Sequence, residues 1–195
     1  MEILSDFLRM IHVLTAVLMA WPFYALVAVN QRARLGPPVG DRVDVYMENI
    51  IRNRTIPCFV FQFTILGTGV ALVLLQGLGL EALMSMPVLA AKFVLLILIL
   101  GLLGYVHLRL QPKIDAIFAE SGGQSLTPQQ ASVANALRLK RKRLASLCLF
   151  SVLVMTMLGV QVWRDTPIWL VALMVVAIAA FTWRSYKSVT PWGWV

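Results

Sequence analysis

Two basic side chains, His12 and Lys92, stand in otherwise apolar stretches of the chain. An ionisable group inside a bilayer is costly enough that its presence calls for a function or a compensating partner. An imidazole can ligate a metal or handle a proton near neutral pH, and a desolvated ammonium can meet an anion or change its own charge state. Arg9 lies three residues before His12 on nearly the same helical face, and Arg164 closes a later apolar stretch with Gln161 one turn before it. Arg9, His12, Lys92 and Arg164 together form a basic set suited to carboxylates or to a quinone head group. Plainer explanations stand beside this one: a hydrogen bond from His12 to a carbonyl or interfacial water, snorkelling of Lys92 to the interface, and pairing of Arg9 with Asp6 one turn earlier.

The elements that must position these groups are membrane helices. The 195 residues are 59% hydrophobic and 13% charged, with a mean hydropathy of +0.81, too apolar for a soluble domain. A span needs about 20 apolar residues, which places five at 7–29, 58–75, 87–108, 144–163 and 168–183. The expected fold is all-α: a polytopic, four-helix transmembrane bundle over 5–163 plus a fifth transmembrane helix over 167–187, in one membrane domain spanning 1–195. The opening residues lack the basic stretch of a signal peptide, so the first span is expected to be retained. Five arginines fall between Asn30 and Thr55 and seven Lys or Arg between Arg109 and Arg143, whereas Gln76 to Met86 carries none. The positive-inside rule then puts the N-terminus outside and the C-terminus in the cytoplasm, with a bacterial inner membrane as the expected location. Attraction of juxtamembrane Lys140-Arg-Lys-Arg143 to anionic lipid accounts for the net charge of +8 and leaves no need for nucleic acid.

Counting depth divides the polar groups into two layers. His12 lies about five residues inside its span and Lys92 about five residues beyond Pro87, so both sit about 8 Å below the outer surface. His107 is about 20 residues beyond Pro87, roughly 30 Å along the axis and near the opposite face. His12 and His107 are therefore not expected to share one iron. Met10, Met84, Met86, Met155 and Met157 lie toward the outer side, and a thioether is a legitimate haem ligand, although most methionines in such a chain fill packing space.

Other features read as architecture. Pro22 frees the carbonyl of Leu18 within a segment containing Trp21, Phe23 and Tyr24, a place to line a planar ligand or to pack on a neighbouring helix. Gly36 to Gly40 forms a turn, after which Val43, Tyr46, Met47, Ile50 and Ile51 define an interfacial helix whose other face is expected to turn Asp44, Glu48 and Arg52 to water. Thr127, Pro128 and Gln130 carry the signature of a helix start, so the fourth helix is expected to run about 36 residues and to extend beyond its span into the cytoplasm, a stalk on which another subunit can dock. Cys58 and Cys148 read as small buried hydrophobes. The fifth span is bland and ends in an aromatic belt of Trp183, Tyr186, Trp192 and Trp194.

The segment Arg9-Met-Ile-His12-Val-Leu, the third-span opening Ala90-Ala-Lys92-Phe-Val-Leu-Leu96, its end Tyr105-Val-His107-Leu-Arg-Leu-Gln-Pro-Lys113 and the basic run Leu137-Arg-Leu-Lys-Arg-Lys-Arg-Leu144 resemble the four-helix membrane superfamily of CopD-type copper-resistance proteins and HemJ-type protoporphyrinogen oxidases. The resemblance covers about 5–163. It implies haem b, with His12 carried over as axial ligand and Lys92 as its polar companion. The chain departs from the HemJ type at Met19-Ala-Trp-Pro-Phe23 and in its extra helix. The leading expectation is a b-type haem protein in electron transfer or porphyrin or quinone redox chemistry, an oxidoreductase or a subunit of one. The alternative is a non-catalytic accessory subunit of a respiratory or photosynthetic membrane complex, or a homo-oligomer. Copper-related membrane transport ranks third, since no His or Met cluster marks the outer face. A cysteine-accessibility scan should label positions 12 and 107 from opposite sides of the membrane; labelling from one side would overturn the topology.

Overall fold

The structure, a computed structural model, describes residues 2–34, 39–51, 55–121, 125–162 and 166–187. Arg52, Arg54, Arg164, Trp192, Trp194 and most of the turn at 36–40 lie outside these residues. Among the described residues every regular element is helical: α1 (Glu2–Val29), α2 (Arg42–Ile51), α3 (Thr55–Leu75), α4 (Ala82–Ser85), α5 (Pro87–Tyr105), α6 (Gln111–Glu120), α7 (Pro128–Gln161) and α8 (Ile168–Lys187). Five of the helices are long and apolar enough to cross a membrane. The chain thus has the makeup of a multi-pass helical membrane protein.

Local chemistry explains the ends. Pro87 and Pro128 occupy first-turn positions, where the missing N–H has no intrahelical partner to lose. Thr127 accepts from the Gln130 amide at 3.3 Å while the Gln130 side chain accepts from the Thr127 amide at 3.2 Å, a reciprocal cap that fixes the start of α7. Between α3 and α5, Gly77 and Gly79 take φ of 72° and 74°, the left-handed region that favours glycine. Helix α5 continues into α6 through a π-helical turn at Val106–Leu110. Pro112 lacks an amide proton and its ring crowds the carbonyl four residues back, at Leu108, so a widened turn just before it carries the helix onward without a break.

Side chains from α1, α3, α5 and α7 share one core, including Met19, Phe23, Cys58, Ile65, Ile99, Leu103, Cys148 and Val152. Helix α1 packs between α3 and α7, α5 packs on α7, and α8 lies outside this core against α7. Cys58 and Cys148 are buried free thiols within it. Of the aromatic trio around Pro22, Phe23 enters the core, Tyr24 stacks on Phe181 of α8 with centroids 6.4 Å apart, and Trp21 faces outward. Phe23 and Tyr24 thus pack against neighbouring helices.

The expected facing of α2 is overturned for its carboxylates. Asp44 and Glu48 are buried rather than turned to water, Ile51 enters the core, and Val43 and Tyr46 are exposed. The cause lies on α7, where Arg138 and Arg141 stand one turn apart, both buried. Arg138 donates to Glu48 at 2.8 Å and to Asp44 at 3.2 Å. Arg141 grips both oxygens of Glu48, at 2.8 and 3.0 Å, and also bonds Asn30 and Gln111. Arg32, in the 3-10 turn Asn30–Arg34 that follows α1, pairs with Asp44 at 2.9 Å. The cluster also covers one face of the first part of α7, whose other face stays exposed at Gln129, Val133 and Ala136, and within Lys140–Arg143 the side chains of Arg141 and Lys142 are buried while that of Lys140 is exposed. Removing one member of a buried ion pair leaves the other charge uncompensated, so Glu48→Ala should destabilise the fold by about 3–5 kcal/mol, read as a lower Tm in detergent. An unchanged Tm would show that the cluster does not hold α2 to α7.

Candidate functional site

A cavity of about 480 Å3 opens among α1, α3, α5 and α7 at the end of the bundle where α4 lies. This volume is in the range of cofactor and small-molecule sites. Its wall is apolar, built from residues such as Ala16, Ile65, Val73, Phe93 and Leu96, and is interrupted by Arg9, His12, Lys92, Gln76 and Thr156. Arg9, His12 and Lys92 therefore face one space. Arg164 lies outside the described residues.

The state of His12 follows from its neighbours. Its Nδ1 is 2.8 Å from the hydroxyl of Thr68. That hydroxyl donates its single proton to the Thr64 carbonyl one turn back, at 2.6 Å. Toward the imidazole it can then act only as an acceptor, which assigns the proton to Nδ1 and leaves a lone pair on Nε2. The imidazole also hydrogen-bonds the backbone at Ile65. Gly69 permits this approach: a Cβ there would lie 3.3 Å from His12 Cε1, tighter than ordinary contact.

Lys92 is held on the other side. Its Nζ approaches Gly159 of α7, where an added Cβ would meet it at 3.6 Å, an ordinary contact. Lys92 has no hydrogen bond or ion pair among the described residues, yet its charge acts on the imidazole of His12. Arg9 lines the cavity and also pairs with Asp6 at 3.3 Å, so both explanations of Arg9 operate together. Among the methionines, Met86 and Met155 line the cavity, whereas Met10 and Met84 are exposed.

His107 belongs to a different layer. Its Nδ1 is 2.7 Å from the hydroxyl of Thr55, and its ring meets Phe59 edge-on with centroids 5.8 Å apart. Thr55 and Thr68 are thirteen residues apart on α3, so the two histidines are held at levels separated by about 20 Å. Among the described residues no group of three His, Cys, Asp or Glu side chains converges as a metal site. The donor set at the cavity is one oriented imidazole with two cations beside it, which fits a ligand carrying its own metal and its own carboxylates.

From the sequence Gly67-Thr-Gly69 reads only as a place of close helix approach, and Thr156 and Gly159 carry no signal of a site. A signal existed for Thr68: it lies seven residues from the end of α3 at Leu75, about 10 Å in, which matches the depth of His12. Side-chain nitrogen NMR of labelled His12 should show the Nδ1–H tautomer, and Thr68→Val should mix the tautomers. An Nε2–H form in the unsubstituted protein would reverse the assignment. Comparison with protein-family models, with curated proteins and with solved structures finds no match to the chain.

Proposed function

We propose that the chain is a membrane-embedded b-type haem protein, working in electron transfer or in porphyrin or quinone redox chemistry in a bacterial inner membrane. The observation that carries this reading is that His12, its Nδ1 engaged by Thr68, lines a largely apolar cavity together with Lys92 and Arg9. His12 would bind the iron through Nε2, with Thr68 fixing the ring orientation as outer hydrogen-bond partners of metal-bound histidines do. Lys92 and Arg9 would meet the anionic edge of the ligand, and Met86 and Met155, which also line the cavity, would be the candidate thioether ligands. The haem would supply one-electron exchange at its iron. The chain supplies orientation, charge and the exclusion of water by the apolar wall.

A reduced-minus-oxidised visible spectrum of protein made with ample haem should show a b-type band. His12→Ala should abolish it, and Thr68→Val should weaken haem binding by about 10–100-fold. No band in the unsubstituted protein would sink the haem reading, and a band that survives His12→Ala would sink the ligand assignment alone.

A further inference from the structure

A second group of cations gathers at the opposite end of the bundle, around one aromatic ring. The guanidinium of Arg34 lies 5.1 Å from the centroid of Tyr186, and the ammonium of Lys142 lies 5.3 Å from it. Arg143 donates from Nε to the Tyr186 hydroxyl at 3.2 Å. Lys187 sits over the neighbouring Trp183 ring at 4.9 Å. The nearby carboxylates, Asp44 and Glu48, pair with Arg32, Arg138 and Arg141. None of Arg34, Lys142, Arg143 and Lys187 has a carboxylate partner among the described residues. Lys142 is fully buried, and its Nζ has no hydrogen-bond acceptor. A buried ammonium without an acceptor is costly, and a cation over a ring recovers only part of what it loses. A bound anion would supply the acceptor that Lys142 does not find among the described residues.

Depth identifies the source of that anion. Helix α8 has 20 residues, about 30 Å at 1.5 Å per residue, which matches the hydrocarbon thickness. Its C-terminal end, carrying Tyr186 and Lys187 beside the outward-facing Trp183, therefore reaches the headgroup layer, where interfacial aromatics and lipid phosphates reside. We infer that Arg34, Lys142, Arg143 and Tyr186, with Lys187 at the rim, form a binding site for the phosphate of an anionic phospholipid. The lipid would tie α8 to α7 and to the turn after α1, elements already joined there by Gln31 and Arg34, which donate to the carbonyls of Ser185 and Lys187. The site is independent of the haem reading.

Native mass spectrometry of the full chain, purified from nanodiscs of mixed phosphatidylglycerol and phosphatidylcholine, tests it. Phosphatidylglycerol should be retained preferentially, and each cation removed from the site should cost about five-fold, the factor equivalent to about 1 kcal/mol. The double variant R34Q/K142M should therefore lose the preference, while K113Q/K140Q, which removes equal charge at the same end, should keep it. Equal losses in the two pairs would reduce the effect to general basicity and overturn the site. Release of the lipid by excess inorganic phosphate would overturn the lipid assignment in favour of a free anion. Should the double variant fail to elute as a monodisperse species, K142M alone decides: it removes a buried amine with no acceptor, is expected to fold, and must still lower retention about five-fold. Undiminished retention in K142M contradicts the proposal.

Discussion

The architecture depends on two arginines that α7 carries into the protein interior. Arg138 and Arg141 stand one turn apart with almost no exposed surface, and a buried guanidinium is tolerated only when its charge and its donors are met. Asp44 and Glu48 meet them, and in doing so dictate which face of α2 turns inward. Asn30 and Gln111 complete the set, so one cluster ties the end of α1, all of α2 and the α5–α6 continuation to a single rod. From Arg141 to Gly159 that rod runs eighteen residues, about 27 Å. Pinning one end therefore fixes the level at which Met155, Thr156 and Gly159 form the cavity wall at the other.

The cavity itself works by contrast. Arg9, His12 and Lys92 face a space whose wall is otherwise largely apolar, where low polarisability strengthens any attraction to an anion. Helix α3 holds both histidines in the same way, each by a threonine hydroxyl at Nδ1. Their surroundings differ. His12 adjoins a cavity and a lysine, whereas His107 is edge-on to Phe59 within the π-helical turn. The same local device thus serves a cavity-lining imidazole at one level and a helix-joining one at the other.

Apolar length alone was enough to read five membrane helices, and depth counting placed His12 and Lys92 in one layer and His107 in another. The cap at Thr127 was legible because capping is local, needing only Thr127, Pro128 and Gln130. The facing of α2 was not. An amphipathic pattern says which residues share a face, but whether the polar face meets water or protein depends on Arg138, some ninety residues away in sequence. Thr68 was hidden for a related reason: a threonine in an apolar helix reads as filler until a histidine from another helix is placed beside its hydroxyl. Gly69 reads as a packing residue until the imidazole is seen against it.

The central proposal is that His12 would hold a haem through Nε2 in this cavity. An experimental density map of the protein isolated from its membrane, at a resolution that shows side chains, tests it most directly. The account predicts planar density contiguous with His12 Nε2 and extending toward Lys92 and Arg9. A cavity filled by a lipid acyl chain, with Nε2 bonded to water or to the protein, would contradict it.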